Sequence, residues 1–251
     1  MKGASTRAAP RATPRTAVVW AVLRRELDQL GAALTVVDVG GGTGGFAVPL
    51  AEAGHRVTVV DPSPDALAAL TRRAAEAGVA GRVTAVQGDG DRLADLVPAA
   101  GADLVLCHSL LEVVDDPVAV AAGLATALRP GGAASVLVAN LAAAVLARAI
   151  AGNLAAAGAL LADPPGAAPA RARRDLPRRR FDAASASDLL AGAGLTVEQI
   201  HGVRVIADLV PGAAASADPQ ALLSIEMAVA ARPPYRDIAT QLHLLARRAG
   251  G

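Results

Sequence analysis

The chain has 251 residues, enough for one large domain or for a domain with a small accessory region. Hydrophobic residues make up 53% of the chain but aromatic residues only 2%, so a core must be built from alanine, valine and leucine. The net charge of +1 excludes a strong overall field, and arginine carries nearly all of the positive charge. Cys107 is the single cysteine, which excludes a disulfide framework, and the histidines lack ligand spacing, so we predict no metal.

The N-terminal residues predict a tail followed by a helix. Residues 1–14 are Arg, Ala, Ser, Thr and Pro without periodicity, and we predict that they are disordered. Residues 15–30 place apolar side chains on one helical face. The apolar run at 17–23 is short for a signal segment and no cleavage site follows it, so we expect a cytoplasmic protein.

The next segment combines a buried strand with a glycine loop. Residues 34–39 are apolar on both faces, which predicts a parallel strand, and Asp38 lies near its end. Gly40, Gly41 and Gly42 follow, and glycine lets the backbone approach a ligand that a Cβ would block. A helix predicted at 46–53 would offer free N–H groups to that ligand. This pattern is typical of a nucleotide site.

Strands and helices then alternate along the chain. A second strand at 56–61 ends on Asp61, about 20 residues after the first acid, where an acid meets ribose hydroxyls in nucleotide-binding folds. Further strands are predicted at 82–87, 103–107 and 133–139, with helices ending near 77 and spanning 117–128. This order predicts an α/β fold with a doubly wound, mostly parallel sheet. Ligands bind such sheets at the carboxyl ends of the strands, and Asp38, Asp61, Asp89 and His108 all lie there.

The pattern changes after residue 140. Residues 141–162 are rich in alanine and leucine, but Arg148 and Asn153 make a membrane span costly, so we predict an amphipathic or buried helix that covers the active site. A loop rich in proline and arginine follows and ends in Arg178, Arg179 and Arg180. We then predict a helix at 185–193, a strand pair or one long bent strand at 195–210, a helix at 219–230 and a last strand at 241–246.

The glycine loop fits two families of nucleotide-binding protein. Gly40-x-Gly42-x-x-Gly45 matches the dinucleotide fingerprint, which is weak alone. Asp38-x-Gly-x-Gly-x-Gly44 matches the acidic-glycine motif of class I S-adenosylmethionine-dependent methyltransferases equally well. The loop itself leaves both open.

The order of motifs over the following residues resembles the class I methyltransferases. After Asp61 come Gly88-Asp89, Asp103-Leu-Val and Leu128-Arg-Pro-Gly-Gly132. The match to the bacterial tRNA wobble carboxymethoxyuridine carboxyl methyltransferases extends over most of the chain, through Arg15-x-x-x-x-Trp20, His108-x-x-Leu-Glu112, Asn140, Ala151-Gly-Asn153, Gly202-Val-Arg-Val-Ile206 and Pro234-Tyr-Arg236. The resemblance implies a methyltransferase domain at 15–251 with a seven-stranded Rossmann-like sheet and an insertion of helix and basic loop at 140–182.

The resemblance also implies the cofactor, S-adenosylmethionine, and its contacts. The residues that it implies are Arg15, Gly40, Gly41, Asp61, Gly90, Asp91 and His108. The acidic-glycine motif and the chemistry of the cofactor add Asp38, Gly42 and Asp89. Asp61 would accept both ribose hydroxyls, and Arg15 suits the cofactor carboxylate. Asp38 would favour the positively charged end, and Asp89 to Asp91 would frame the adenine.

Three functions stay open from the sequence: a methyl-ester-forming tRNA enzyme, a small-molecule O- or N-methyltransferase, and a non-catalytic cofactor-binding partner protein. A carboxylate acceptor is ionised at neutral pH and needs no base. A hydroxyl acceptor needs one, and His108 is the candidate. Low net charge and few aromatics argue against nucleic acid, whereas Arg178, Arg179 and Arg180 are candidate phosphate contacts. This basic loop is rich in arginine and proline where the resembled family has lysine.

Overall fold

A computed structural model describes residue 13 and residues 15–31, 33–162, 164–167 and 179–250. The strands are β1 (Thr35–Val39), β2 (Arg56–Asp61), β3 (Val83–Gln87), β4 (Ala102–His108), β5 (Leu128–Ala139), β6 (Leu195–Val203) and β7 (Gln241–Arg248). The helices are α1 (Ala17–Leu30), α2 (Ala47–Glu52), α3 (Pro64–Glu76), α4 (Leu93–Leu96), α5 (Pro117–Ala127), α6 (Leu141–Ile150), α7 (Leu154–Ala162), α8 (Ala183–Gly192), α9 (Gly212–Ala217) and α10 (Pro219–Val229). Short 3-10 turns lie at Ala80–Arg82, Gly90–Arg92 and Arg236–Ile238.

The strands form a seven-stranded sheet in the order β3-β2-β1-β4-β5-β7-β6. Pairs among β1 to β5 are parallel, and β7 runs antiparallel to both β5 and β6. The strand order reverses between β1 and β4, so ligands are expected at the carboxyl ends of these two strands. The predicted doubly wound, mostly parallel fold is confirmed.

Small aliphatic side chains fill both sides of the sheet. On one face, Leu23 of α1, Leu50 of α2 and Leu70 of α3 pack in one buried cluster. On the other face, Leu124 of α5 and Leu190 of α8 do the same. Because parallel strands are covered on both faces, β1, β4 and the end of β5 are almost wholly buried.

The segment 195–210 is one strand that ends at Val203, and the prediction of a strand pair or a longer strand was wrong. Arg204 adopts a positive φ of 61°, which stops the extended conformation. The next three backbone N–H groups, of residues 205–207, donate to the carboxylate of Glu226. These donors are therefore taken away from any sheet partner.

The segment 141–162 is two helices, whereas the sequence predicted one. Gly152 has a φ of 75°, a backbone conformation that ends α6 and that glycine adopts without strain. Asn153 then starts α7, because its side-chain oxygen accepts the N–H of Ala156. Over the described residues, no helix is long and apolar enough to cross a membrane. No group of three or more metal-ligating side chains occurs there either.

The fifth strand begins at Leu128, five residues before its predicted start. Ala102 pairs with Leu128, and an irregularity in the ladder then carries the chain to the next pair, Leu104 with Ala133. The helix before it, α5, is accordingly one residue shorter than predicted.

Candidate active site

The glycine loop and two acids form one unit at the ends of β1 and β2. Asp38 and Asp61 are both buried. The carboxylate of Asp61 accepts the backbone N–H of Gly42 at 2.9 Å and that of Ser63 at 2.9 Å. A Cβ atom at Gly41 would come within 2.5 Å of the carboxylate of Asp38, so glycine is required there. The loop lies directly on the two acids.

The electrostatics of this unit suit a cationic ligand. Burial, and then the nearby charge of Asp61, raise the pKa of Asp38 to about 7. A positive charge beside Asp38 would offset both effects and favour the ionised carboxylate. The residues therefore fit a sulfonium cofactor with an amino-acid tail, with Asp61 placed for ribose hydroxyls.

The residues predicted to frame the adenine lie beside this loop. Gly90 is buried at the start of the turn after β3, whereas Asp89 is exposed and Asp91 is half-buried. A Cβ at Gly90 would lie 2.9 Å from Leu110, and one at Gly40 would lie 3.1 Å from the same side chain. Leu110 therefore packs against both glycines and joins the two parts of the cofactor side.

His108 ends β4 at the same rim. Its Nε2 lies 2.9 Å from the hydroxyl of Ser135, and its ring meets the ring of Phe46 edge-on, with centroids 4.6 Å apart. Burial lowers the pKa of His108 to about 4, so the imidazole is uncharged at neutral pH. The next residue, Ser109, has a positive φ of 56° and accepts a hydrogen bond from the side chain of Gln241 at 2.9 Å.

A cavity of about 570 Å³ opens on the other side of Ser109. This volume is in the range of small-molecule sites. The cavity is lined by the alanine-rich face of α6, by three arginines (Arg148, Arg180 and Arg204) and by the acids Glu112 and Asp208. We call it the acceptor cavity. Residues 108–110 separate it from the glycine loop, because Ser109 lines the cavity while Leu110 packs against Gly40.

The arginines of the acceptor cavity differ in their partners. Arg204 forms an ion pair of 2.6 Å with Asp208, which also accepts a hydrogen bond from Thr240 at 2.8 Å. Arg148 donates to the carbonyl of Ala144, one turn earlier in α6, at 3.0 Å. No carboxylate of the described residues lies within ion-pair distance of Arg148. Its guanidinium therefore keeps donors for an anionic ligand.

A buried acid supports the loop that carries Arg204 and Asp208. Glu226 of α10 is fully buried, and its carboxylate accepts the N–H groups of Val205 at 3.1 Å, Ile206 at 2.6 Å and Ala207 at 2.5 Å. Sequence reasoning missed this residue. A glutamate in an amphipathic helix carries no signal that it caps a distant loop.

The remaining predicted site residues that the structure describes are three arginines outside the glycine-loop unit. The side chain of Arg15 is 68% exposed and is 3.9 Å from Asp208. Arg180 lines the cavity, and the guanidinium of Arg179 donates to the carbonyl oxygens of Val114 and Asp115. Arg178 lies outside the described residues, as do residues 168–177 and most of the predicted tail. The roles predicted for all of these residues, and the domain boundaries, stay predictions.

Sequence reasoning also missed Arg148 as a site residue. It was considered only as a charge that makes a membrane span costly. The available signal was an arginine within an alanine-rich segment, since a helix that covers a cavity can project such a side chain into it.

Comparisons with known proteins agree with this geometry. A family model described as a methyltransferase domain matches residues 36–132. The tRNA 5-carboxymethoxyuridine methyltransferase of Escherichia coli (strain K12) is 30% identical over 237 residues, which are 93% of this chain and 88% of that protein. The chain belongs to this methyltransferase family. It is therefore an S-adenosylmethionine-dependent methyltransferase, and of the two families that the glycine loop fitted, the methyltransferases are confirmed.

Two further comparisons give a second relative in sequence and a solved structure with a similar fold. The ubiquinone biosynthesis O-methyltransferase of Methylobacterium sp. (strain 4-46) is 35% identical over 114 residues, 42% of this chain and 42% of that protein. The crystal structure of an S-adenosylmethionine-dependent methyltransferase from Mesorhizobium loti has a TM-score of 0.62 at 23% identity and covers 92% of this chain and 98% of its own. The second likeness concerns the fold alone.

Proposed function

We propose that this methyltransferase forms a methyl ester on a carboxylate, and that the carboxylate belongs to a 5-carboxymethoxyuridine in tRNA. The observation that carries the proposal is Arg148, a guanidinium without a carboxylate partner among the described residues, in a cavity beside the cofactor side. The similarity to a tRNA 5-carboxymethoxyuridine methyltransferase over 93% of the chain supports the same acceptor. A tRNA substrate also implies a cytoplasmic enzyme.

On the cofactor side, the chain's own groups bind and orient. S-adenosylmethionine supplies a methyl group on a sulfonium, and transfer of that methyl to an oxygen breaks the C–S bond, forms a C–O bond and leaves a neutral thioether. Asp61 accepts the ribose hydroxyls, since each carboxylate oxygen can accept more than the one N–H it now holds. Asp38 would stabilise the positive charge, and Asp89 and Asp91 would flank the adenine. Arg15 would bind the carboxylate of the tail by exchanging its partner Asp208, 3.9 Å away, for the cofactor.

On the acceptor side, Arg148 holds the substrate carboxylate through charge-assisted hydrogen bonds. A carboxylate is already ionised at neutral pH, so the reaction needs no proton transfer. The remaining task is to place an oxygen in line with the methyl group. Proximity and orientation can supply a large part of the rate enhancement of such a displacement.

The test is mass spectrometry of nucleosides from tRNA that carries 5-carboxymethoxyuridine, after incubation with the enzyme and S-adenosylmethionine. We expect the methyl ester with the unaltered enzyme. Arg148→Ala should lower kcat/KM for tRNA about 10- to 100-fold, because it removes hydrogen bonds to a charged group. Arg148→Lys should retain part of the activity.

The matched control is Arg72→Ala, which removes an equal charge from the exposed side of α3. This variant should act like the parent enzyme. If the parent forms no methyl ester on such tRNA, the proposed acceptor is wrong.

A small-molecule acceptor is the second candidate. The alanine wall of the acceptor cavity favours it, because that wall suits an apolar ring as well as a nucleoside. The similarity to an O-methyltransferase of ubiquinone biosynthesis over 42% of the chain points the same way. This candidate predicts no methylated nucleoside in tRNA and a methylated product among small acceptors.

A further inference from the structure

The helix α6 carries an apolar stripe on the side that lines the acceptor cavity. Its members are Ala143, Leu146, Ala147 and Ile150, and all four line the cavity. Spacings of three and four residues place them on one face of the helix. The structure describes all ten residues of α6, and none of them is buried. The core therefore does not cover this stripe.

Two exposed apolar side chains from other elements line the same cavity. Leu209 lies in the loop after β6, and Ile238 ends the last 3-10 turn. Ile150 is 79% exposed and Leu209 is 63% exposed. Single exposed apolar side chains need no explanation, but several around one cavity mark a site for a ligand or a partner. We call Leu146, Ile150, Leu209 and Ile238 the apolar rim.

The buried part of the cavity lining includes two polar side chains. Glu112 and Asn140 both line the cavity and are buried. The Nδ2 atom of Asn140 donates to the carbonyl oxygens of Asp237 and Ala239, at 2.8 Å each, so it has no N–H left for a ligand. The cavity thus has polar groups at its buried end and the apolar rim at its exposed end.

Charge indicates which kind of ligand fits between these two ends. Arg148 lies in the same helix as the stripe, between Ala147 and Ile150, and it lines the cavity. An anionic group suits this guanidinium, whereas the rim suits an uncharged apolar surface. The cavity volume of about 570 Å³ is in the range of sites for one small molecule, and such sites combine apolar walls with a few polar groups. The lining therefore fits a ligand with a carboxylate at one end and a ring at the other.

We propose that the apolar rim contacts the faces of the ring that carries the acceptor carboxylate, while Arg148 binds the carboxylate itself. The occupant of the rim is then the base of the methylated nucleotide. Among the described residues no aromatic side chain lines the cavity, so aliphatic side chains make the contact with this ring. The rim determines specificity, because a carboxylate without a ring gains only the contacts of the polar groups. This inference rests on the proposed function and deepens it, since it names the residues that recognise the ring.

The test compares two ligands that share the carboxylate arm: the nucleoside 5-carboxymethoxyuridine, which has the ring, and methoxyacetate, which lacks it. Each is titrated into the enzyme with S-adenosylhomocysteine present, and the NMR signals of the ligand report binding. The parent enzyme should bind the nucleoside at least about 10-fold more tightly, because the rim covers apolar surface of the ring. The double variant Ile150→Ser, Leu209→Ser should lose most of this difference and keep its affinity for methoxyacetate within about twofold. A nucleoside bound no more tightly than methoxyacetate by the parent would overturn the proposal.

Kinetics with tRNA separate the rim from the fold. In the double variant the KM for tRNA should rise about 10-fold. The KM for S-adenosylmethionine and the melting temperature should not change, because both side chains are exposed. Leu209→Phe should retain the affinity for tRNA, since phenylalanine keeps an apolar contact with the ring. The control is Leu161→Ser on α7, which is 67% exposed and is not part of the cavity lining, and it should act like the parent.

An unchanged KM for tRNA in the double variant would also overturn the proposal. If that variant then differed from the parent in oligomeric state, the rim would be an interface between copies of the chain. The NMR titration involves no methyl transfer, so the two proposals can fail separately. Failure of tRNA methylation together with ring-dependent binding of the nucleoside would refute the tRNA acceptor and leave the rim standing. Methylation of tRNA with an unchanged KM in the double variant would refute the rim and leave the proposed function standing.

Discussion

Two regions of this enzyme differ in the charge of the side chains that they present, and we propose that each binds one of the two ligands. The cofactor side is formed by the glycine loop with the ends of β1, β2 and β3, and it presents carboxylates. The acceptor cavity lies beyond Ser109 and presents Arg148, Arg180 and Arg204. A sulfonium is a cation and the proposed acceptor is an anion. The carboxylates therefore lie on the side of the cationic ligand, and the arginines lie on the side of the anionic one. The two regions meet at residues 108–110.

The two regions also differ in how they are constructed. On the cofactor side, backbone N–H groups and acids that are close in sequence contact each other, as Gly42 does with Asp61. The acceptor cavity collects side chains from α6, from the residue before Phe181 and from the loop after β6. The methyltransferase-domain family model matches residues 36–132 and stops inside β5, before most of the cavity lining. The residues that the family model covers therefore include the glycine loop and the strand ends beside it, whereas most of the acceptor cavity lies outside them.

The largest expected effect is on the cofactor side. Asp61→Ala should weaken binding of S-adenosylhomocysteine at least about 100-fold, because it removes the ribose contacts and also frees the N–H groups of Gly42 and Ser63. Calorimetry measures this. Asp65→Ala, an exposed acid in the first turn of α3, is the control and should bind as the parent does. Equal losses in both variants would show that net charge and not the site is responsible.

The next effect should be confined to the acceptor cavity. Glu226→Ala leaves three N–H groups of residues 205–207 without their acceptor and should lower the free energy of unfolding by about 3 kcal/mol. The KM for the acceptor should rise because Arg204 and Asp208 lie in the same loop. Affinity for S-adenosylhomocysteine should change much less than the KM for the acceptor, because Asp61 and the glycine loop lie on other elements and, of the predicted cofactor contacts that the structure describes, only Arg15, 3.9 Å from Asp208, touches this loop.

Thermal unfolding measures the loss of stability and calorimetry measures the affinity for S-adenosylhomocysteine. The control is Glu76→Ala, which removes an exposed acid of α3. A parallel loss of cofactor affinity would contradict the separation of the two regions.

A smaller effect concerns pH. Burial and Asp61 raise the pKa of Asp38 from 3.8 to about 7, so the folded free enzyme binds a proton there that the unfolded chain releases. This group therefore stabilises the free fold below about pH 4 relative to pH 7, and that contribution is lost as the pH rises through 7. A cationic cofactor lowers the pKa of Asp38, so binding releases a proton and becomes tighter as the pH rises, by up to about tenfold per unit below pH 7.

Titrations of S-adenosylmethionine between about pH 6 and 8.5 measure this linkage. Asp38→Asn cannot release the proton, and its affinity should be flat over the same range. A parent enzyme whose affinity does not change with pH would exclude Asp38 as the group that meets the positive charge.

The smallest effect concerns salt. Each phosphate contact contributes about 0.7–0.9 to the slope of log affinity for tRNA against log salt, so Arg180→Ala should flatten the slope by that amount. Replacing Arg178, Arg179 and Arg180 together should flatten it by roughly two to three units. Filter binding at several salt concentrations measures it. Arg179→Ala alone should also lower the melting temperature, since its guanidinium holds the carbonyls of Val114 and Asp115. An unchanged slope in the triple variant would remove these arginines from the tRNA site.

The pattern of residues along the chain was enough to predict the alternating strands and helices, and it predicts where the cofactor binds. A buried strand, a glycine turn and a helix interact over a few residues, so the local sequence is enough to predict them. Strands β1, β2 and β4 lie within one residue of their predicted bounds. Asp38, Asp61 and His108 lie at or near the carboxyl ends of β1, β2 and β4, as predicted, because parallel strands bring these ends to one rim; their roles stay predictions. The resemblance in motif order supplied the cofactor.

The lining of the acceptor cavity and the contacts of His108 depend on tertiary packing, and the local sequence did not predict them. The antiparallel β7 enters between β5 and β6, and its register places His243 beside Ser135. Glu226 reaches the loop after β6 in the same way, from a helix about 20 positions further along the chain. Such contacts join residues that no local period relates, because the register of the sheet and the packing of helices set them. The sequence pattern therefore predicts where the cofactor binds, whereas tertiary contacts bring together the side chains of the acceptor cavity.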